Sequence, residues 1–178
     1  MVGVVFFFAP MDKYLFLDFD GVLNSEFYQD LLMSQGEPCR DKHGPFFDPL
    51  AVEQLKRVVD STHADIVIES SWKYLGLEAM QDMWTDRRLP GRMIDITPSI
   101  VSASWSSDIK SFGLDVRQSK GIEIDFWLFE NTLADARYVI IDDEYVIRDS
   151  QLPRFILTNP FDGLTELLAD RAIALLNG

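Results

Sequence analysis

The sequence is short of sulfur, imidazole and positive charge. Its 178 residues include one Cys and two His, with 16 Lys and Arg against 29 Asp and Glu. A single cysteine, Cys39, excludes an internal disulfide and suits a reducing, cytoplasmic compartment. A formal net charge of −13 makes the chain a poor general binder of nucleic-acid backbones, because that affinity comes from Lys and Arg replacing counterions. A local basic groove is still compatible with it; otherwise the charge serves solubility. No apolar run is long enough to cross a bilayer. The opening "MVGVVFFFA" is too short and has no basic segment ahead of it, so no membrane association is expected. Met11 directly precedes the first strand pattern. Residues 1–12 therefore read as an N-terminal extension, of which 1–10 can reflect the choice of start site. No internal repeat or low-complexity run is present.

What the chain does have is apolar mass: 47% hydrophobic and 12% aromatic residues, enough for a sizeable core in one domain over 13–178. Apolar runs of strand length alternate with helix-like patterns. Strands are expected at 14–19, 65–70, 92–97, 137–142 and 154–158, and helices at 48–61, 72–84, 120–131 and 163–178. Asp48 and Pro49 give a helix start, with Leu50, Leu55, Val58 and Val59 on one face. In 120–131, Ile122, Phe126 and Phe129 are expected to face inward, and Gly76 weakens 72–84. The strands are apolar on both faces, as in a parallel sheet covered by helices on both sides. Residues 24–47 and 98–119 read as small insertions, loops with a helix each at most, lying over the site as lids.

In such sheets ligands bind beyond the carboxyl ends of the strands. Polar residues gather there. "KYLFLDFDGVLNS" ends its strand in Asp18 and Asp20 and turns at Gly21. The second strand ends in Glu69, Ser70 and Ser71, and the fourth in Asp142 and Asp143, while Lys120 opens the helix before the fourth. Acids drawn together beside an apolar strand repel one another unless a cation joins them. With only oxygen ligands, and no His or Cys nearby, that cation is expected to be Mg²⁺ between Asp18 and Asp142. Mg²⁺ in turn suits a phosphate substrate. A carboxylate can attack phosphorus, and a second acid two residues on, on the same strand face, can protonate the leaving oxygen. A serine hydroxyl and a lysine can hold the phosphoryl group.

"DFDGVLN", Ser70 after "DIVIE", Lys120 and "VIIDDE" together resemble the four motifs of the haloacid dehalogenase (HAD) superfamily of phosphohydrolases. "IVIESSWK", "IDITPS", "KGIEIDFWL", "YVIIDDE" and "FILTNPFDGLT" further resemble the small HAD domains of "Swiss army knife" RNA-repair proteins. The resemblance spans about residues 13–178. It implies a three-layer, Rossmann-like α/β fold with a minimal cap and strand order 92–97, 65–70, 14–19, 137–142, 154–158. It also implies a Mg²⁺-dependent phosphatase. Asp18 is then the nucleophile and a metal ligand. Asp20 is the acid/base and lends its backbone carbonyl to the metal. Ser70 binds phosphate, with Ser71 as the alternative and Gly21 beside it. Lys120 bridges phosphate and nucleophile, Asp142 is the third metal ligand, and Asp143 supports it. The chain departs from the family in carrying Asn24 where a Thr is common. Glu69 is unwelcome beside a phosphate unless it points away, and Lys120 stands where near relatives often have Arg.

Plainer readings stand beside these: solvated strand-end acids, a Ser70 hydroxyl serving the backbone, a solvated Lys120, and an Asx turn at Asp142. Trp72 and Trp127 are expected in the core, His43 and His63 in loops or on the surface. Trp105 can touch a leaving group or anchor its loop. The expected substrate is a phosphorylated small molecule or the phosphorylated end of something larger. A nucleic-acid end-processing phosphatase, a phosphotransferase, and a non-catalytic phosphate- or protein-binding module on the same fold are the alternatives. Oligomeric state is not legible.

Overall fold

The structure is a computed structural model that describes residues 12–100, 118–132 and 136–178. Along these residues the chain forms β1 (Lys13–Leu17), α1 (Glu26–Gln35), a hairpin of β2 (Arg40–Asp41) and β3 (Gly44–Pro45), α2 (Pro49–Thr62) and β4 (Asp65–Ile68). A 3₁₀ turn (Ser71–Leu75), α3 (Leu77–Asp86), β5 (Met93–Ile96), α4 (Ser119–Asn131) and β6 (Arg137–Asp142) follow. A second 3₁₀ turn (Asp149–Arg154), β7 (Phe155–Leu157) and α5 (Glu166–Asn177) complete it. The five long strands pair in parallel in the order β5-β4-β1-β6-β7, the order the resemblance implies.

Alternate residues of each strand supply two cores, because successive side chains point to opposite faces. Leu15 and Leu17 of β1 join Ile66, Ile68, Val139 and Ile141 under α2, α3 and α5. Tyr14 and Phe16 join Val67 and Ile140 under α4. Helices thus cover both faces and explain why the strands do not alternate in polarity.

Several boundaries and faces differ from expectation. β1 ends at Leu17, so Asp18 and Asp20 lie past the strand and the same-face argument does not govern them. The chain turns because the N–H groups of Val22, Leu23 and Asn24 all point to the Phe19 carbonyl. β4 ends at Ile68, leaving Glu69 and Ser70 beyond it. The expected helix over 72–84 is a 3₁₀ turn and α3, separated at Gly76. Leu50 is 65% exposed; Ala51, Leu55, Val58 and Val59 make the buried face of α2. In α4, Phe126 is 41% and Phe129 86% exposed, while Ile124 and Trp127 go inward. The helix is rotated because Trp127 packs edge-on against Tyr14 and Phe16 and donates its indole N–H to Asp95 at 2.7 Å. Residues 24–47 carry α1 and the hairpin. Most of 98–119, with Trp105, lies outside the described residues. No helix among the described residues is long and apolar enough to cross a membrane.

Candidate active site

β1 is the central strand, flanked by β4 and β6, so the crevice where strand order reverses opens beyond Leu17. Asp18 is delivered there by β1 and Asp142 by β6, 6% and 1% exposed. The Asp18 backbone N–H donates to the Ile141 carbonyl at 3.1 Å, which extends the ladder by one residue and brings the two acids side by side. Each carboxylate spends one oxygen locally. Asp18 Oδ1 accepts the Phe19 N–H at 2.6 Å, and Asp142 Oδ1 accepts the Glu144 N–H at 2.9 Å. The Asx turn at Asp142 therefore exists, but it uses only one of that residue's oxygens.

The other two oxygens share Lys120. Its Nζ lies 2.5 Å from Asp18 Oδ2 and 2.6 Å from Asp142 Oδ2. A lysine ammonium therefore joins the two acids. Burial works against the charge on Lys120, but the paired carboxylates outweigh it and raise its pKa above the ordinary value. Burial pushes the Asp142 carboxyl up to about 7; the charge of Asp18 adds to this, and Lys120 opposes it. Lys120 is the second residue of α4, where the helix dipole disfavours a cation. Its two carboxylate partners supply the reason for it to be there. Gly121 lets α4 come close enough. A methyl at that position would sit 2.6 Å from the Arg148 nitrogen and 2.8 Å from the Ile147 Cα.

Asp20 is exposed and faces elsewhere. One of its oxygens accepts the Trp72 indole N–H at 2.9 Å, the other the Asn24 side-chain N–H at 2.8 Å. Its plane is thus fixed by two donors, and Asn24, the departure from the family pattern, has a defined partner. Trp72 is core, as expected, packing on Phe19 and Phe47, but its indole N–H also serves the site, which spacing alone did not reveal. Gly21 has φ +68°, and any side chain there would run into the Asp143 carboxyl. That close approach sets Asp143 against the turn. Thr158 ties this corner down, donating its hydroxyl to the Gly21 carbonyl at 2.7 Å, while its N–H reaches the Asp142 carbonyl at 2.9 Å.

Ser70 is 1% exposed, and its Oγ accepts the Trp72 backbone N–H at 3.4 Å, opening the 3₁₀ turn. The hydroxyl serves the backbone, and its proton remains to be donated. Ser71 is exposed. Both line a cleft of about 260 Å³ together with Lys120, Glu69, Lys73 and Glu123. Glu69 is not turned to solvent. It is 2% exposed, and it pairs with Lys73 at 2.9 Å and accepts the Thr97 hydroxyl. Burial pushes it up to about 7, with Lys73 and Thr97 opposing. His43 bridges to Asp86 on the wall of a second cleft that Asp20 also lines, and His63 caps α2.

Carboxylate oxygens of Asp18, Asp142 and Asp143 lie within 4.8 Å of one another. Three hard oxygen donors, two of them buried, fit a divalent ion such as Mg²⁺. The Asp20 carboxylate is outside this set.

A parallel sheet that delivers its acids to one mouth in this way is the arrangement of a HAD-type hydrolase. The profile of the family described as "HAD domain in Swiss Army Knife RNA repair proteins" matches residues 14–169, and the chain belongs to that family. No curated protein and no solved structure gives a significant match to the chain.

Proposed function

We propose that the domain is a Mg²⁺-dependent phosphohydrolase that works through a phospho-aspartate on Asp18. The observation that carries this reading is the bridge from Lys120 to both Asp18 and Asp142, 2.5 and 2.6 Å long. It brings two carboxylates and a cation from three distant segments into one buried spot. Asp18 attacks phosphorus and forms an acyl-phosphate bond as the bond to the substrate's alcohol oxygen breaks. Asp20, held by Trp72 and Asn24, gives the leaving oxygen its proton. It then takes a proton from the water that hydrolyses the intermediate and releases inorganic phosphate. Ser70, with Ser71 on the same cleft wall, donates to the phosphoryl oxygens, and Lys120 offsets charge between them and Asp18. Gly21 leaves room for Asp143 beside the nucleophile. A Mg²⁺ ion held by Asp18, Asp142, Asp143 and the Asp20 carbonyl would supply further charge compensation.

The substrate class that fits is a phosphate monoester, on a small molecule or at the end of a larger one. A polynucleotide end is favoured as a second reading by a separate cleft of about 430 Å³, in which Asp20 meets Arg40, Lys42, Trp72 and Tyr74. Asp41 lines it too but is paired with Arg87, and Lys42 is paired with Asp86. Arg40 and the exposed Tyr74 ring are therefore what suit an anionic leaving group that carries a base. The family's description, naming RNA repair proteins, agrees with it.

The test is a phosphate-release screen over nucleotides, sugar phosphates and phosphorylated oligonucleotides, with and without Mg²⁺. Mg²⁺-dependent release that Asp18→Asn abolishes, with the fold intact, is the expected result. Retained turnover in Asp18→Asn contradicts the mechanism. No release from any ester returns the domain to a phosphate- or protein-binding role. Oligonucleotide binding that weakens steeply with salt would mark the polynucleotide reading.

A further inference from the structure

We propose that Lys73 is a positioning residue for the phosphoryl side of this site, acting through Glu123 on Lys120 and through Glu69 on Ser70. The inference rests on the phosphohydrolase reading and adds a residue that the motifs do not assign. An ammonium has three N–H donors. Those of Lys73 meet Glu69 at 2.9 Å, the Thr97 hydroxyl at 2.8 Å and Glu123 at 2.5 Å. All three donors are occupied, so Lys73 cannot also hold a phosphoryl oxygen without giving one up. Its role is to clamp.

The clamp joins four segments: the ends of β4 and β5, the 3₁₀ turn and α4. The side chains of Lys73, Glu69 and Glu123 are 9%, 2% and 7% exposed. Glu123 also accepts the Ile100 backbone N–H at 2.9 Å. Burying three charges is expensive when apolar side chains could fill the same space. Position accounts for them here. Glu123 lies three residues after Lys120, on the same face of α4. Fixing Glu123 therefore fixes the rotation of the helix where it presents Lys120 to Asp18. Glu69 immediately precedes Ser70, so holding its side chain holds the backbone that carries the serine. There is an electrostatic part as well. Glu69 and Glu123 line the same cleft as Ser70 and Lys120, and negative charge on them opposes a phosphate there. Lys73 screens them.

Two variants separate these parts: Lys73→Met, and the neutral triple Glu69→Gln/Lys73→Met/Glu123→Gln. The readouts are kcat and KM on an ester from the screen, Kd for inorganic phosphate with Mg²⁺ present, and Tm. In Lys73→Met, phosphate affinity is expected to fall about tenfold from the loss of the ammonium's positive charge beside the cleft. Its kcat is expected to fall about 100-fold from misplacement of Lys120. In the triple variant, phosphate affinity and Tm recover while kcat stays low, because the repulsion is gone and the clamp is still missing. A residue that only stabilised the fold would let kcat return with Tm. A triple variant with wild-type kcat therefore overturns the proposal, as does Lys73→Met with wild-type kcat and phosphate Kd. If Lys73→Met does not fold, the triple variant alone decides through kcat. A wild-type protein without turnover on any ester defeats the phosphohydrolase reading instead. The phosphate Kd values of the three proteins then still decide for or against Lys73.

Discussion

Asp142 shows how much of the site's behaviour is set by one side chain's surroundings. Burial and the neighbouring Asp18 push its carboxyl up to about 7 despite Lys120. Below that pH a divalent ion must displace a proton to bind. Mg²⁺ affinity, measured by calorimetry, is therefore expected to drop about tenfold per pH unit below about pH 6, with proton release in unbuffered solution. Affinity that stays flat across this range contradicts the shift. Trp72 is a second residue whose role exceeds its packing. Trp72→Phe keeps a ring beside Phe19 and removes the N–H that Asp20 accepts. Losing a hydrogen bond to a charged group is expected to cost about 1.5–3 kcal/mol, partly in stability and partly in kcat. KM should move less than kcat. A variant with unchanged kcat would show that the indole only packs.

α4 is the element on which the site most depends, and its orientation was the hardest to read in the sequence. Periodicity found the helix but chose Ile122, Phe126 and Phe129 as the inner face. The inward face instead carries Ile124 and Trp127, with Lys120 and Glu123 toward the crevice. The apolar pattern misled because the buried face includes charged residues, which a hydrophobicity count assigns to solvent. The same failure hid Lys73, Glu69 and Thr97 as one network, since its members come from separate elements. The strands, by contrast, were legible in position and type, although the acids stand just past their ends. The order of the strands followed from the family resemblance and not from any residue pattern. Gly121 gives a prediction of unusual sign at this scale. Replacing a helical Gly by Ala ordinarily stabilises by about 1 kcal/mol. Here the added methyl meets the backbone at Ile147 and Arg148, which cannot rotate away as a side chain can. Gly121→Ala is expected to lower both Tm and kcat, as α4 is pushed outward and Lys120 leaves Asp18. A raised Tm with unchanged kcat would show that α4 has slack there.

For the whole molecule, two buried acids govern the dependence of stability on pH. Asp142 and Glu69 rise from ordinary values of 3.8 and 4.5 to about 7. The folded state therefore binds protons more tightly than the unfolded state across that window, and stability falls as pH rises through it. The net charge of −13 adds repulsion of the same sign. Metal-free protein is expected to have a lower Tm at about pH 8 than at about pH 5, and Mg²⁺ to restore more at the higher pH. A metal-free Tm that rises over this range contradicts the account. The sequence made the class of molecule plain through four short motifs, since each requires a particular residue type at a strand or helix end. It left the substrate open, because Arg40 and Tyr74 acquire meaning only once the hairpin and the 3₁₀ turn bring them beside Asp20. The central claim is that Asp18 carries the phosphoryl group between two half-reactions. Its most direct test is mass spectrometry of acid-quenched enzyme during turnover of a phosphate ester. The account predicts one phosphoryl group on the peptide that contains Asp18, absent in Asp18→Asn. Turnover with that peptide unmodified, or with the phosphoryl group on another residue, would contradict it.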